Sequence, residues 1–155
     1  MSRFGVPRTA TIALAVLAFA LPFEASAQVG ANSAVVNPNR ASQVELAELA
    51  HVDDALAAAL VAKRPFLDMA ALHAVVSAAL PEEAWKELYK GLFVPINLNT
   101  ATREEILLVP GVGERMAHEF EEYRPYKALA QFRREIGKYV SKDEVARLER
   151  YVTIN

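Results

Sequence analysis

The run that decides the fold of this chain reads Val109-Pro110-Gly111-Val112-Gly113-Glu114-Arg115-Met116-Ala117. Two glycines flank one apolar residue, and helix-forming residues stand on both sides. A glycine just past a helix end can take the left-handed conformation that closes the helix, and a second glycine keeps the next turn open to close approach. We therefore predict a tight helix-turn-helix corner. Its amides from Gly113 onward, at the positive end of the next helix, form a candidate anion site.

The sequence around this corner occurs twice. The segment from Asn97 to Ile106 echoes the segment from Asn37 to Leu46, at an offset of 60 residues. Each copy carries a hydroxyl residue three places before a glutamate, which is the capping-box pattern of a helix start. The correspondence continues without a gap, so that Arg64-Pro65-Phe66 aligns with Arg124-Pro125-Tyr126. The pattern predicts a tandem duplication, with one copy over residues 37–96 and the other over 97–155.

Both copies show helical periods separated by short breaks, and neither shows a convincing strand period of two. The prediction is an all-α fold with four helices in each copy. We expect them at about 43–49, 54–63, 68–79 and 82–90 in the first copy, and at about 103–108, 114–123, 127–135 and 142–150 in the second.

The two copies differ at the corner itself. The first copy has Ala50-His51-Val52-Asp53 where the second has Pro110-Gly111-Val112-Gly113. Both glycines are replaced there, and the adjacent acids Asp53 and Asp54 would repel an anion. We interpret the first copy as a degenerate unit that keeps the fold without the anion contact.

The amino terminus has the three-part pattern of a secretory signal peptide over residues 1–27. Arg3 and Arg8 precede an uncharged apolar run, and Ala25-Ser26-Ala27 is a small-residue cleavage site, with cleavage expected before Gln28. The apolar run is shorter than the ~20 residues that a membrane-spanning helix needs, although an uncleaved anchor is the alternative. Residues 28–36 are expected to form a flexible leader. The expected location is periplasmic, with no membrane span after cleavage.

The second copy resembles the helix-hairpin-helix domain of the bacterial competence DNA receptor (ComEA-like) family. The resemblance rests on the run from Asn97 to Ile106 and on Val109-Pro110-Gly111-Val112-Gly113, and it continues through Met116, Ala117 and Phe120. It implies an exported protein that binds double-stranded DNA without sequence preference and passes it to uptake proteins. By the same resemblance, the amides of Gly111, Val112 and Gly113 would face a phosphate, and Arg115 would occupy a basic position.

The family domain pairs two such hairpins, and the second would fall near Gly137 and Lys138. Only one glycine stands there, so basic residues around it would have to supply charge in place of hairpin geometry. For Arg115, an ordinary helix pair with Glu119 is the competing interpretation. Residues 97–155 hold 10 basic and 10 acidic side chains, and residues 37–96 hold 5 and 8. This balance keeps a second function open, namely a periplasmic scaffold or protein-interaction module that has lost DNA binding.

No residue set points to catalysis. The three histidines have no metal-ligand spacing, no nucleophile stands in a catalytic arrangement, and the chain has no cysteine. We therefore expect a protein that is not an enzyme, with no cofactor and no metal site.

Overall fold

The computed structural model describes residues 35–155 in full and the backbone of residues 28–29. This part of the chain is predominantly helical, as the sequence predicts, and each helix lies within two residues of its expected bounds. The signal peptide expected over residues 1–27 lies outside the described residues, as do residues 30–34 of the leader. The helices are α1 (Gln43–Ala47), α2 (Asp54–Ala62), α3 (Met69–Ala79), α4 (Glu82–Leu88), α5 (Arg103–Leu107), α6 (Glu114–Glu122), α7 (Leu129–Ile136) and α8 (Lys142–Leu148), with a 3-10 turn at Glu149–Tyr151.

A small sheet, which the sequence did not predict, accompanies the helices. Its strands are β1 (Gln28–Val29), β2 (Ile96–Asn97) and β3 (Val152–Ile154), in the order β1-β3-β2. Strand β3 pairs antiparallel with β1 and parallel with β2. Strands of two or three residues are too short to show a period of two, so the sequence pattern could not predict them. The pairing also involves Gln28 and Val29, which the sequence assigned to a flexible leader.

Five of the eight helices in the described chain start at a side chain that accepts a hydrogen bond from the first turn, whereas α4, α6 and α7 have no such cap. Ser42 and Thr102 form complete capping boxes with Glu45 and Glu105. The other three capped starts use an aspartate or a serine as N-cap, at Asp53, Asp68 and Ser141. An N-cap of this kind stabilises a helix by about 1 kcal/mol relative to alanine.

The same contacts occur in both halves of the chain. The Asn39 side chain accepts a hydrogen bond from the Phe66 amide (2.8 Å) and donates one to the Phe66 carbonyl (2.8 Å). Sixty residues later, Asn99 makes the same pair of bonds to Tyr126, at 2.7 and 2.9 Å. In each half the amide side chain therefore ties the segment before the first helix to the segment before the third.

A parallel backbone bridge also recurs at the repeat offset. Val36 pairs in parallel with Leu92, and Ile96 pairs in parallel with Val152. The two bridges are again 60 residues apart. The repeated sequence thus produces a repeated local structure.

One apolar core runs through both halves. Leu46 and Leu60 are fully buried in the first half, as are Phe120 and Phe132 in the second. The halves are joined by buried contacts, among them a bond from the Met69 amide to the Glu105 carboxylate (3.2 Å). Within residues 28–29 and 35–155, no helix is long and apolar enough to span a bilayer.

Candidate nucleic-acid interface

The predicted corner joins α5 to α6. Helix α5 stops at Leu107, and Gly111 takes a φ of +80°, the left-handed conformation that turns the chain. Between the two glycines, Val112 is buried and donates its amide to the Val109 carbonyl (3.0 Å). The apolar residue anchors the turn in the core, while both glycines stay exposed at the surface.

The amides at the start of α6 are free of protein acceptors. Gly113 is the N-cap, and it has no side chain to accept a hydrogen bond. No acceptor within the described chain receives a bond from the amides of Gly113, Glu114, Arg115 or Met116. A Cβ built at Gly113 would meet nothing within 4 Å, so the approach is open. Such amides, with the helix dipole behind them, attract an anion.

A surface groove brings together three of the residues that the sequence singled out. Gly113, Arg115 and Lys138 line it, in company with Glu114 and Glu119. We name it the Gly113 groove. The corner and the position of the expected second hairpin therefore meet on one surface. Two basic and two acidic side chains line the groove, so its formal charge is balanced.

The side chains that line the Gly113 groove differ in their exposure and in their partners. Arg115 is exposed and makes no ion pair among the described residues, so the competing pairing with Glu119 does not form. Glu119 is instead buried, and its Oε2 accepts no hydrogen bond from the described part of the chain. Lys138 pairs with Glu135 and lies 5.0 Å from the centre of the Tyr123 ring. Hydrogen bonding to Glu135 raises the pKa of the Lys138 ammonium, which keeps it charged.

At the position of the second hairpin, the backbone amides are already used. Gly137 has an ordinary helical φ of −62°, and its amide donates to the Arg133 carbonyl (3.1 Å). The Lys138 amide donates to Glu135 (3.2 Å), and Ser141 caps α8 by accepting from the Glu144 amide (3.2 Å). A Cβ at Gly137 would lie 2.6 Å from the Arg133 carbonyl oxygen, so this glycine allows the end of α7 to pass close to its own backbone.

The basic residues around the second hairpin are mostly paired. Arg133 binds Glu149 with two hydrogen bonds, at 2.7 and 2.5 Å. Hydrogen bonding and the charge of Glu149 raise the Arg133 pKa further. Arg134 pairs with Glu135 (2.7 Å). Few of the basic side chains that we expected to bind phosphate here are therefore unpaired.

No local sequence signal pointed to Arg147, which lies against the corner. Its Nη2 atom is 2.9 Å from the place where a Gly111 Cβ would stand. The guanidinium is held by two bonds to Glu144, from Nε (2.8 Å) and from Nη2 (2.6 Å). Arg147 belongs to α8, so only the packing of α8 against the corner reveals the contact.

The corner of the first half has the same backbone turn, but the helix that follows it starts at a different N-cap. His51 takes a φ of +66°, in the place of Gly111. Asp53 caps α2 through a bond from the Leu56 amide to its Oδ1 (2.8 Å). The carboxylate thus occupies the position that an external anion would take at α6.

In residues 28–29 and 35–155, no group of three or more histidine, aspartate or glutamate side chains is placed to hold a metal ion. No family model matches the chain, and neither the curated proteins nor the solved structures contain a match.

Proposed function

We propose that the chain is a double-stranded DNA-binding protein without sequence preference, built from two tandem helix-hairpin-helix-like units. In this proposal the corner contacts a phosphate through the amides of Gly111 and Gly113, because the Val112 amide, which the resemblance also implied, is already donated to the Val109 carbonyl. The first unit makes no such contact. The observation that carries the proposal is the uncapped start of α6, where exposed amides stand without a protein acceptor. Phosphates are the same at every step of a duplex, so amide and cation contacts to them bind without reading sequence.

Two features of the corner support a ligand outside the protein. The first half does not cover Gly113, since nothing lies within 4 Å of a Cβ built there. Arg115 stands on the first turn of α6 with its charge unpaired among the described residues, next to the free amides. A scaffold module that had buried this corner against its own duplicate would show neither feature.

The cellular setting of the proposal comes from other observations. Export to the periplasm rests on the signal-peptide pattern over residues 1–27, and a role in DNA uptake rests on the resemblance to the competence DNA receptors. Uptake proteins or other periplasmic proteins would then be partners. No enzymatic step is proposed.

The test is a titration of the protein with a mixed-sequence duplex, followed by fluorescence anisotropy at low and at high salt. We expect binding at low salt that weakens steeply as salt rises, because counterions are released from the phosphates. The Gly113→Ala variant places a methyl group on the open approach, and it should weaken binding about tenfold, or about 1.4 kcal/mol. Its matched control is Asp53→Ala, at the same position of the first half, which should bind duplex as the unchanged protein does.

Failure to bind duplex at low salt would overturn the proposal. Equal binding by the Gly113→Ala variant would also do so. Capture of a stable periplasmic partner by a protein that ignores duplex would instead favour the scaffold function.

A further inference from the structure

The corner has a second side, and this side is more basic than the Gly113 groove. A groove beside Gly111 is lined by Lys90, Arg147 and Arg150, with Glu144 as its acidic member. We name it the Gly111 groove. Three basic side chains face one acid there, whereas the Gly113 groove is balanced. Electrostatic attraction of a polyanion should therefore be stronger at the Gly111 side.

Arg147 is positioned before any ligand arrives. The two bonds to Glu144 fix its guanidinium, which also lies 5.9 Å from the centre of the Tyr151 ring. Only 31% of its side chain is exposed. A planar, pre-oriented guanidinium loses little conformational entropy when it binds a phosphate, and its remaining N–H groups are still available as donors.

The other two cations are held less tightly and can adjust to a ligand. Arg150 makes no ion pair within the described chain. Lys90, in the turn after α4, pairs with Glu87 of that helix, but 61% of the Lys90 side chain is exposed. Exposed pairs of this kind contribute little to stability, so a phosphate can replace Glu87 at small cost.

Gly111 connects the groove to the corner. A side chain at position 111 would collide with the Arg147 guanidinium, whose Nη2 would lie 2.9 Å from its Cβ. The absence of a side chain thus lets a fixed cation lie directly beside the turn. Lys90 comes from the first half of the chain, and its carbonyl accepts a hydrogen bond from the Tyr151 hydroxyl (3.1 Å), which ties the two halves together here.

We propose that Lys90, Arg147 and Arg150 form a second phosphate subsite of the DNA-binding surface, beside Gly111. This inference rests on the proposed function and names the residues that supply a second contact with the duplex. One contact point is the uncapped start of α6, and the other is this basic groove instead of a second hairpin at Gly137. The first half, although its own corner is capped by Asp53, contributes Lys90 to the surface.

The experiment compares two doubly substituted variants of the full chain. Lys90→Ala with Arg150→Ala removes two cations of the subsite and leaves Arg147 in place. The control, Lys63→Ala with Lys127→Ala, removes the same charge at exposed positions outside both grooves. Each variant is titrated with a short mixed-sequence duplex over a series of salt concentrations, after circular dichroism has shown that it folds.

Each lost phosphate contact should make the plot of log K against log salt concentration shallower by about 0.9. The Lys90 and Arg150 variant should therefore lose roughly 2 from this slope. The control should keep the slope of the unchanged protein. If the unchanged protein binds and Gly113→Ala weakens it, but the subsite variant has the slope of the control, the second subsite is overturned and the proposed function stands. If no protein binds duplex at low salt, both fail.

Discussion

The two corners of this protein share a backbone and differ in what ends them. Val52 and Val112 are both buried, and each donates its amide three residues back, at 3.2 and 3.0 Å. The preceding residue has a positive φ in both cases, 66° at His51 and 80° at Gly111. The first corner forms with neither glycine, so the fold itself does not require the Gly111 and Gly113 pair.

The two corners differ in the N-cap of the helix that follows each of them. Asp53 satisfies an amide of α2 with its own carboxylate, and Gly113 leaves the matching amide of α6 open. A capped helix start is more stable, and an uncapped one can receive an anion. We infer that the start of α6 lacks a side-chain cap because its amides bind an external anion.

The two halves also differ in how the third helix packs against the segment at the end of the fourth. In the first half, the Tyr89 hydroxyl lies 2.8 Å from Nδ1 of His73, whose ring also packs edge-on against Trp85. At the corresponding positions of the second half, Arg133 and Glu149 form an ion pair. A mostly aromatic contact in one unit is thus replaced by a charged one in the other.

The largest effect is expected where the two halves agree. Asn39→Ala and Asn99→Ala each remove two hydrogen bonds to the backbone of a buried aromatic residue. Each variant should lower the free energy of unfolding by about 2 kcal/mol, because the backbone partners are left unsatisfied. Urea unfolding followed by circular dichroism measures this cost, with Asn155→Ala at the exposed terminus as control. A cost confined to one of the two variants would show that the repeated contacts are not equivalent.

A second substitution would make the corners alike. Gly113→Asp places a carboxylate where Asp53 stands in the first half, so it should cap Met116 and raise the free energy of unfolding by a few tenths of a kcal/mol. Duplex binding should fall by about tenfold or more, since the new charge occupies the phosphate position. Anisotropy titration and urea unfolding of the same sample measure the two changes.

Asp53→Gly is the reciprocal change and the control for this variant. It should cost a few tenths of a kcal/mol of stability and leave duplex binding unchanged. Undiminished binding by Gly113→Asp would remove the corner from the DNA contact.

The smallest effect concerns pH. Partial burial lowers the pKa of His73 below its ordinary value of 6.5. The unfolded chain therefore binds a proton at His73 more readily than the folded one, so this residue's contribution to stability falls as the pH drops through about 6.5. The melting temperature at pH values from about 8 to 5 should fall more for the unchanged protein than for His73→Gln. Arg133, at the matching position, stays charged throughout. Equal pH profiles for the two proteins, or an NMR titration of His73 at or above 6.5, would contradict the assignment.

Local signals were sufficient for most of the helical structure. The capping boxes at Ser42 and Thr102 mark the starts of α1 and α5, and Gly111 marks the turn before α6. These signals act between residues a few positions apart, so they can be read directly from the chain. They placed the helices and the corner, whereas Arg115 became a candidate only through the family resemblance.

Other features of the site depend on distant parts of the chain. Nothing near Glu119 indicated that it would be buried and unavailable to Arg115. Gly137 looked like a hairpin glycine, and the structure shows it packed against the Arg133 carbonyl with its amide in use. Burial and hydrogen-bond partners of this kind depend on which helices meet, and a local pattern does not record that.

By itself, the sequence determined the repeat, the helices, the caps and the place of the corner, because each depends on a local preference of the backbone. Only the tertiary structure decided the small sheet, the separation of the Gly113 and Gly111 grooves, and the position of Arg147 beside Gly111. Those features join segments far apart in the chain, and packing of the shared core brings them together. The corner could therefore be predicted from its own residues, whereas the positions of the charged side chains around it depend on the fold.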